Sequence, residues 1–155
     1  METIKANTNR ENSKTIRRNI RDGLTDIFAT AARVMFFWIP GGDVAQGRAL
    51  MAFHPIFISA IIALFFVAPA RSPLRVAIAI ISIIVTASQW LFSGCVITRA
   101  EQRLTGSKET ILDPFLSLAG LEANRDTRVA ATIASGTMTC TILVWSVACD
   151  FLFSR

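Results

Sequence analysis

The sequence predicts an all-α integral membrane protein: three transmembrane helices, an N-terminal amphipathic helix in the interface and a short juxtamembrane helix. Three observations carry this. First, hydrophobic residues make up 52% of the 155 and charged residues only 17%, where soluble domains carry about a quarter charged. Second, the charges leave three windows empty. Arg48 to Arg71 encloses 22 uncharged residues, Arg75 to Arg99 encloses 23, and Arg128 to Asp150 encloses 21. At about 1.5 Å per residue each window is a helix of roughly 30 Å, the thickness of bilayer hydrocarbon. Third, the positive charges alternate in density from one side of the windows to the other.

A soluble bundle of three core helices is the competing fold. Soluble helices of this length show a polar face, and the first two windows show almost none. The basicity, +5 in formal charge, flanks apolar windows and has no stacking aromatics interleaved. It reads as topology rather than as a nucleic-acid footprint. No nucleic-acid partner is expected.

Lys and Arg concentrate on the cytoplasmic side of membrane proteins. Eight precede the first window, two lie between the first and second, five between the second and third, and Arg155 alone follows. An N-in arrangement therefore places thirteen inside and three outside. The first 23 residues are polar and hold no apolar core of a signal peptide.

Along the chain, residues 1–12 read as a mobile polar tail. Residues 13–39 read as the interfacial helix. Ile16, Ile20, Leu24, Ile27, Ala31, Val34 and Trp38 recur every three or four positions and form one apolar stripe, with Arg18, Arg21, Asp22, Thr25 and Arg33 around the other side. The same pattern also suits packing on a partner subunit. Pro40-Gly41-Gly42 ends it.

The membrane domain is expected over 43–155, with spans at about 49–70, 74–98 and 129–151 and a cytoplasmic loop at 99–128. Asp43 and Gln46 have capping-box spacing for the first span, and Pro55 is expected to kink it. Ser72-Pro73 offers an N-cap followed by proline at the first helical position. The second helix is expected to run to about Leu104, with Gly106 ending it. Asp113-Pro114 opens the juxtamembrane helix through about Leu121, and Asn124 or Asp126 can cap the third span.

Several polar groups stand out against this apolar background. Ser82, Thr86, Gln89 and Ser93, spaced four, three and four, form a polar stripe down the second span. Intramembrane polar groups face the protein interior. They can line a hydrated path, or hydrogen-bond between helices at about 1 kcal/mol per contact. The third span is rich in small residues, and Thr132, Gly136 and Cys140 give small-xxx-small spacing for close packing. Thr98 and Glu101 sit at the inner membrane boundary on one helix face.

His54 is the sole histidine. It can carry a proton, hydrogen-bond, or act as a single axial ligand to a pigment or haem, for which no supporting motif is present. No cofactor is expected other than bound lipid. Cys95, Cys140 and Cys149 give neither a metal cluster nor a disulfide framework; they read as small packing residues at three different depths. Trp38, Trp145 and the phenylalanines near the predicted interfaces read as anchoring aromatics.

Gly94-Cys95-Val96-Ile97-Thr98-Arg99-Ala100-Glu101-Gln102-Arg103-Leu104 resembles the Cys-Pro-Leu-Thr-x-x-Glu-x-x-Leu string of a group of small multi-pass bacterial membrane proteins without an assigned activity. Val96 stands where that string has proline. The resemblance implies a multi-pass helical fold and no chemistry.

For function, the sequence holds no nucleophile–base–acid set, no HExxH and no phosphate-binding glycine loop, so an enzyme is not expected. The leading expectation is an accessory or structural subunit of a larger membrane assembly, in contact with lipid and other subunits. The alternatives are a homo-oligomeric channel or transporter with the second span lining the path, and a membrane-embedded enzyme acting on lipid.

Overall fold

The computed structural model describes residues 2–153, with side chains from Glu11 onward; Arg155, counted in the charge asymmetry, lies outside them. The described residues form helices joined by turns and short loops, without strands. It runs α1 (Glu2–Met35), α2 (Gly42–Val67), α3 (Pro73–Phe92), α4 (Val96–Thr105), α5 (Asp113–Leu118) and α6 (Arg125–Phe153). Three of these, α2, α3 and α6, are long and apolar enough to cross a membrane. Only 11%, 17% and 6% of the residues in their most apolar windows are buried. A soluble bundle would cover those surfaces with the rest of the chain, and this chain does not.

The helices pack around two apolar clusters. At one end, α4 is wedged between α1 and α2 around Ala29, Ala32, Phe36, Leu50, Ala100 and Leu104. This is the basic end. Toward the other end, α2, α3 and α6 meet around Phe65, Ile78 and Leu143.

The helix ends follow local chemistry. Ser72 Oγ accepts from the Arg75 amide at 3.3 Å, with Pro73 in the first turn of α3. Gly106, at φ 67°, ends α4 and donates to the Gln102 carbonyl. Asn124 Oδ1 accepts from Thr127 N at 2.9 Å and caps α6. α5 stops at Leu118, short of the Leu121 expected.

Three features depart from the sequence reading. The second span does not run on through Val96 to Leu104. It stops at Phe92, where Ser93 and Gly94 take positive φ of 54° and 122° and the Gly94 amide closes back on Gln89 O. That left-handed pair turns the chain and releases α4 as a separate helix. Asp43 is not the cap of α2. The cap position is Gly41, at φ 113°, and the Asp43 carboxylate is taken by Arg33 of α1 at 2.7 Å. Finally, residues 2–12, read as a separate tail, are the opening turns of α1. α2 is one helix through Pro55.

α1 packs on α4 with its small face, Thr25, Ala29 and Ala32, followed just past its end by Phe36, all buried. The apolar stripe lies on the opposite side. Ile16, Ile20, Ile27, Val34 and Trp38 are each more than half exposed. Arg103 pairs with Asp26 at 2.5 Å across the same contact, a surface pair that guides register more than it adds stability.

Candidate functional site

The site is built on the α2–α4 contact. Gly47, Leu50 and His54 follow one another at spacings of three and four along α2 and share one face. Gly47 brings α4 very close: a Cβ there would lie 2.8 Å from Leu104 Cβ and 2.7 Å from Thr105 Cγ2. Two turns further along α2, His54 meets the middle of α4 and the residue that precedes it. Its Nδ1 lies 2.9 Å from Glu101 Oε1. Its Nε2 lies 3.9 Å from Cys95 Sγ.

The surroundings are closed. The Glu101 side chain is 3% exposed and that of His54 14%. A buried carboxylate needs partners. Here Glu101 has the imidazole, while its backbone carbonyl accepts from Thr105 Oγ1 at 2.9 Å. With Glu101 ionised, Nδ1–H is the donor, and a neutral ring then turns its Nε2 lone pair to the Cys95 thiol. The order carboxylate, imidazole, thiol is that of an orienting group, a base and a nucleophile. It equally describes a polar brace that locks α4 onto α2. Both ring nitrogens of His54 face neighbours in the chain, and an axial ligand to haem requires one of them. Among the described residues no group of three or more His, Cys, Asp or Glu side chains is arranged to hold a metal ion.

Cys95 is more than a packing residue. It is the residue before α4, carried toward His54 by the turn at Ser93-Gly94. Cys95 and Glu101, six residues apart, converge on the one histidine. Thr98, between them, is half-buried on α4.

The polar stripe of α3 lies largely along α6. Thr86 Oγ1 donates to the Gly136 carbonyl at 3.2 Å. The Gln89 side chain fills the space above Gly136, where a Cβ would collide with its amide oxygen. That oxygen is buried without a hydrogen-bond donor. Trp90 Nε1 reaches Thr137 Oγ1 at 3.2 Å. Ser82 turns back to its own helix, donating to Ala79 O at 2.7 Å. Ser93 ends α3, and its carbonyl accepts from Arg99. On α6, Thr132 donates to Arg128 O, and Cys140 is a half-buried free thiol.

Sequence reasoning passed over a second polar cluster, at the far end. Arg75 is buried, its guanidinium 4.5 Å from the centre of the Phe65 ring. It donates to Ser146 Oγ at 2.7 Å and pairs with Asp150 at 2.9 Å. Arg71 Nε donates to the Asp150 carbonyl at 2.9 Å. This clasp fastens the start of α3 to the ends of α2 and α6. In the sequence Arg71 and Arg75 show only as loop charges.

No family model matches this sequence, and no significantly similar curated protein or solved structure was found by comparison.

Proposed function

We propose that this chain is a multi-pass membrane protein acting as an accessory or structural subunit of a larger membrane assembly, with its basic end on the cytoplasmic side. The observation that carries the reading is where the polar groups of the candidate spans go. Thr86, Trp90, Arg75 and Ser146 make their contacts between helices of the same chain, as intramembrane polar groups do when they serve packing. Ile80, Ile81, Ile83 and Ile84 stay exposed on the outside of α3. Beyond the spans, the stripe Ile16, Ile20, Ile27 and Val34 gives α1 an apolar face opposite the one packed on α4, continued by Trp38 in the turn after it, a second surface for a partner or the lipid interface.

Gentle detergent extraction followed by native mass spectrometry tests this reading. Co-purification of other membrane proteins in fixed stoichiometry is the expected result. A symmetric assembly of this chain alone that conducts ions, and loses conductance in Gln89→Leu, would replace it with the channel.

One observation favours a second reading, catalysis on lipid: the carboxylate–imidazole–thiol order of Glu101, His54 and Cys95. Under it, Cys95 alkylates about tenfold faster than Cys140 and Cys149 in mild detergent, and His54→Phe removes the difference. Equal rates for the three thiols exclude it.

A further inference from the structure

A cavity of about 180 Å³ opens between the first half of α1 and the last turn of α3. Its walls are Lys14, Arg17, Arg18 and Arg21, and its floor is Leu91, Phe92 and Ser93. The four cations recur at spacings of three, one and three, so α1 turns one continuous basic face onto the end of α3. Arg21 is bound to its neighbour Asp22 at 2.9 Å. Among the described residues Lys14, Arg17 and Arg18 have no carboxylate partner. Four cations therefore face one another here against the single carboxylate of Asp22.

A fifth cation approaches from beneath. Arg99 of α4 donates to the carbonyls of Phe92 and Ser93, at 3.3 and 3.1 Å, two of the residues that floor the cavity. Its Nε is buried with no acceptor. Burial holds the Arg99 guanidinium below its ordinary value, and the like charges of Arg21 and Arg125 push the same way. An anion at this point supplies an acceptor for the lining side chains of Lys14, Arg17 and Arg18 and relief of crowded positive charge. The floor continues into the apolar exterior of α3, where Trp90 and Leu91 are exposed. A ligand that carries a phosphate at one end and hydrocarbon at the other matches both parts.

We propose that Lys14, Arg17, Arg18 and Arg21 over the end of α3 form a site for the phosphate headgroup of an anionic phospholipid, with the acyl chains lying along the outside of α3. The site ties α1 to the membrane at the level where α3 ends. It rests on the membrane reading above and is independent of whether partner subunits exist.

The test is native mass spectrometry of the full chain in mild detergent, titrated with phosphatidylglycerol, phosphatidylcholine or inorganic phosphate. Wild type is expected to retain one phosphatidylglycerol per chain in preference to phosphatidylcholine, and excess inorganic phosphate is expected to leave that lipid bound. Arg17→Gln/Arg18→Gln is expected to lower its retention by about 30-fold, the worth of two basic side chains at an anionic surface. Arg17→Lys/Arg18→Lys keeps most of it. If the glutamine pair loses helicity by circular dichroism, Lys14→Gln alone is read instead, with an expected fall of about fivefold. Equal retention of the two lipids, or unchanged retention in the folded glutamine variant, overturns the proposal. Displacement of the lipid by inorganic phosphate also overturns it and assigns the site to the free anion. A chain without partner proteins would sink the subunit reading and leave this preference intact, so the two failures are distinguishable.

Discussion

His54 Nδ1 sits 2.9 Å from Glu101 Oε1, across 47 residues of chain, in a pocket where the carboxylate is almost wholly enclosed. The contact joins the middle of α2 to the middle of α4. Removing Glu101 leaves a buried imidazole N–H without its acceptor, at a cost of about 1–3 kcal/mol. Glu101→Ala is therefore expected to lower the thermal unfolding temperature in detergent. Glu101→Gln keeps a group that can pair with the imidazole and is expected to cost about 1 kcal/mol. Equal melting of wild type and Glu101→Ala would show that the contact is energetically idle.

The two tightly packed glycines are expected to differ. A Cβ at Gly47 meets the Leu104 Cβ and the Thr105 backbone nitrogen, the latter at 3.1 Å, and these cannot retreat without moving α4. Gly47→Ala is expected to destabilise by about 1–3 kcal/mol. At Gly136 the obstacle is the end of the Gln89 side chain, which can swing away, so Gly136→Ala is expected to cost under about 1 kcal/mol. Gly136→Leu is expected to separate α3 from α6. Melting curves of the three variants check this order, and a milder effect from Gly47→Ala than from Gly136→Ala would refute it.

Arg75 is expected to tolerate no substitution, lysine included. Its guanidinium serves Phe65, Ser146 and Asp150 together, and a lysine ammonium lacks that flat, forked set of donors. Arg75→Lys and Asp150→Asn are each expected to loosen the far end of the bundle. Limited proteolysis at the loop around Pro69 reads this directly, and cleavage no faster than in wild type would count against the clasp.

Asp113 gives the basic end an acid-sensitive joint. Burial pushes its carboxyl up, but hydrogen bonds from Arg128 and Thr110 outweigh burial and hold it below the ordinary value. The Arg128 contact is 2.7 Å. A group whose folded value is depressed contributes stability that is fully present above the unfolded carboxylate value, near pH 4, and lost as pH falls through the folded one. Melting temperature is thus expected to fall on acidification below about pH 4. Asp113→Asn is expected to flatten part of that fall. An acid limb of unchanged steepness in the variant would assign it to other groups.

How much of this was legible in the sequence depended on the kind of signal. Charge-free windows mark α2, α3 and α6 because length and composition suffice. Ser72-Pro73, Gly106 and Asn124 mark helix ends because capping is local chemistry. The break at Ser93-Gly94 was hidden: apolar residues resume at Val96 and Ile97, and a lone glycine within such a run does not by itself end a helix. The packed face of α1 was hidden because Thr25, Ala29 and Ala32 carry little hydropathy, while the conspicuous isoleucine stripe points away. His54 and Glu101 could each be picked out, but their meeting depends on the close approach at Gly47 and on the turn before Cys95. Neither is a property of a local segment.

The proposed membrane embedding has lipid covering α2, α3 and α6. Single cysteines at Ala70 and Ser107, in a background with the three native cysteines removed, can be probed in sealed vesicles with a membrane-impermeant maleimide. The expected result is labelling of the two positions from opposite sides, in protein that alkaline carbonate does not strip from the membrane. Labelling of both from one side, or recovery of a folded monomer from the aqueous fraction without detergent, would contradict it.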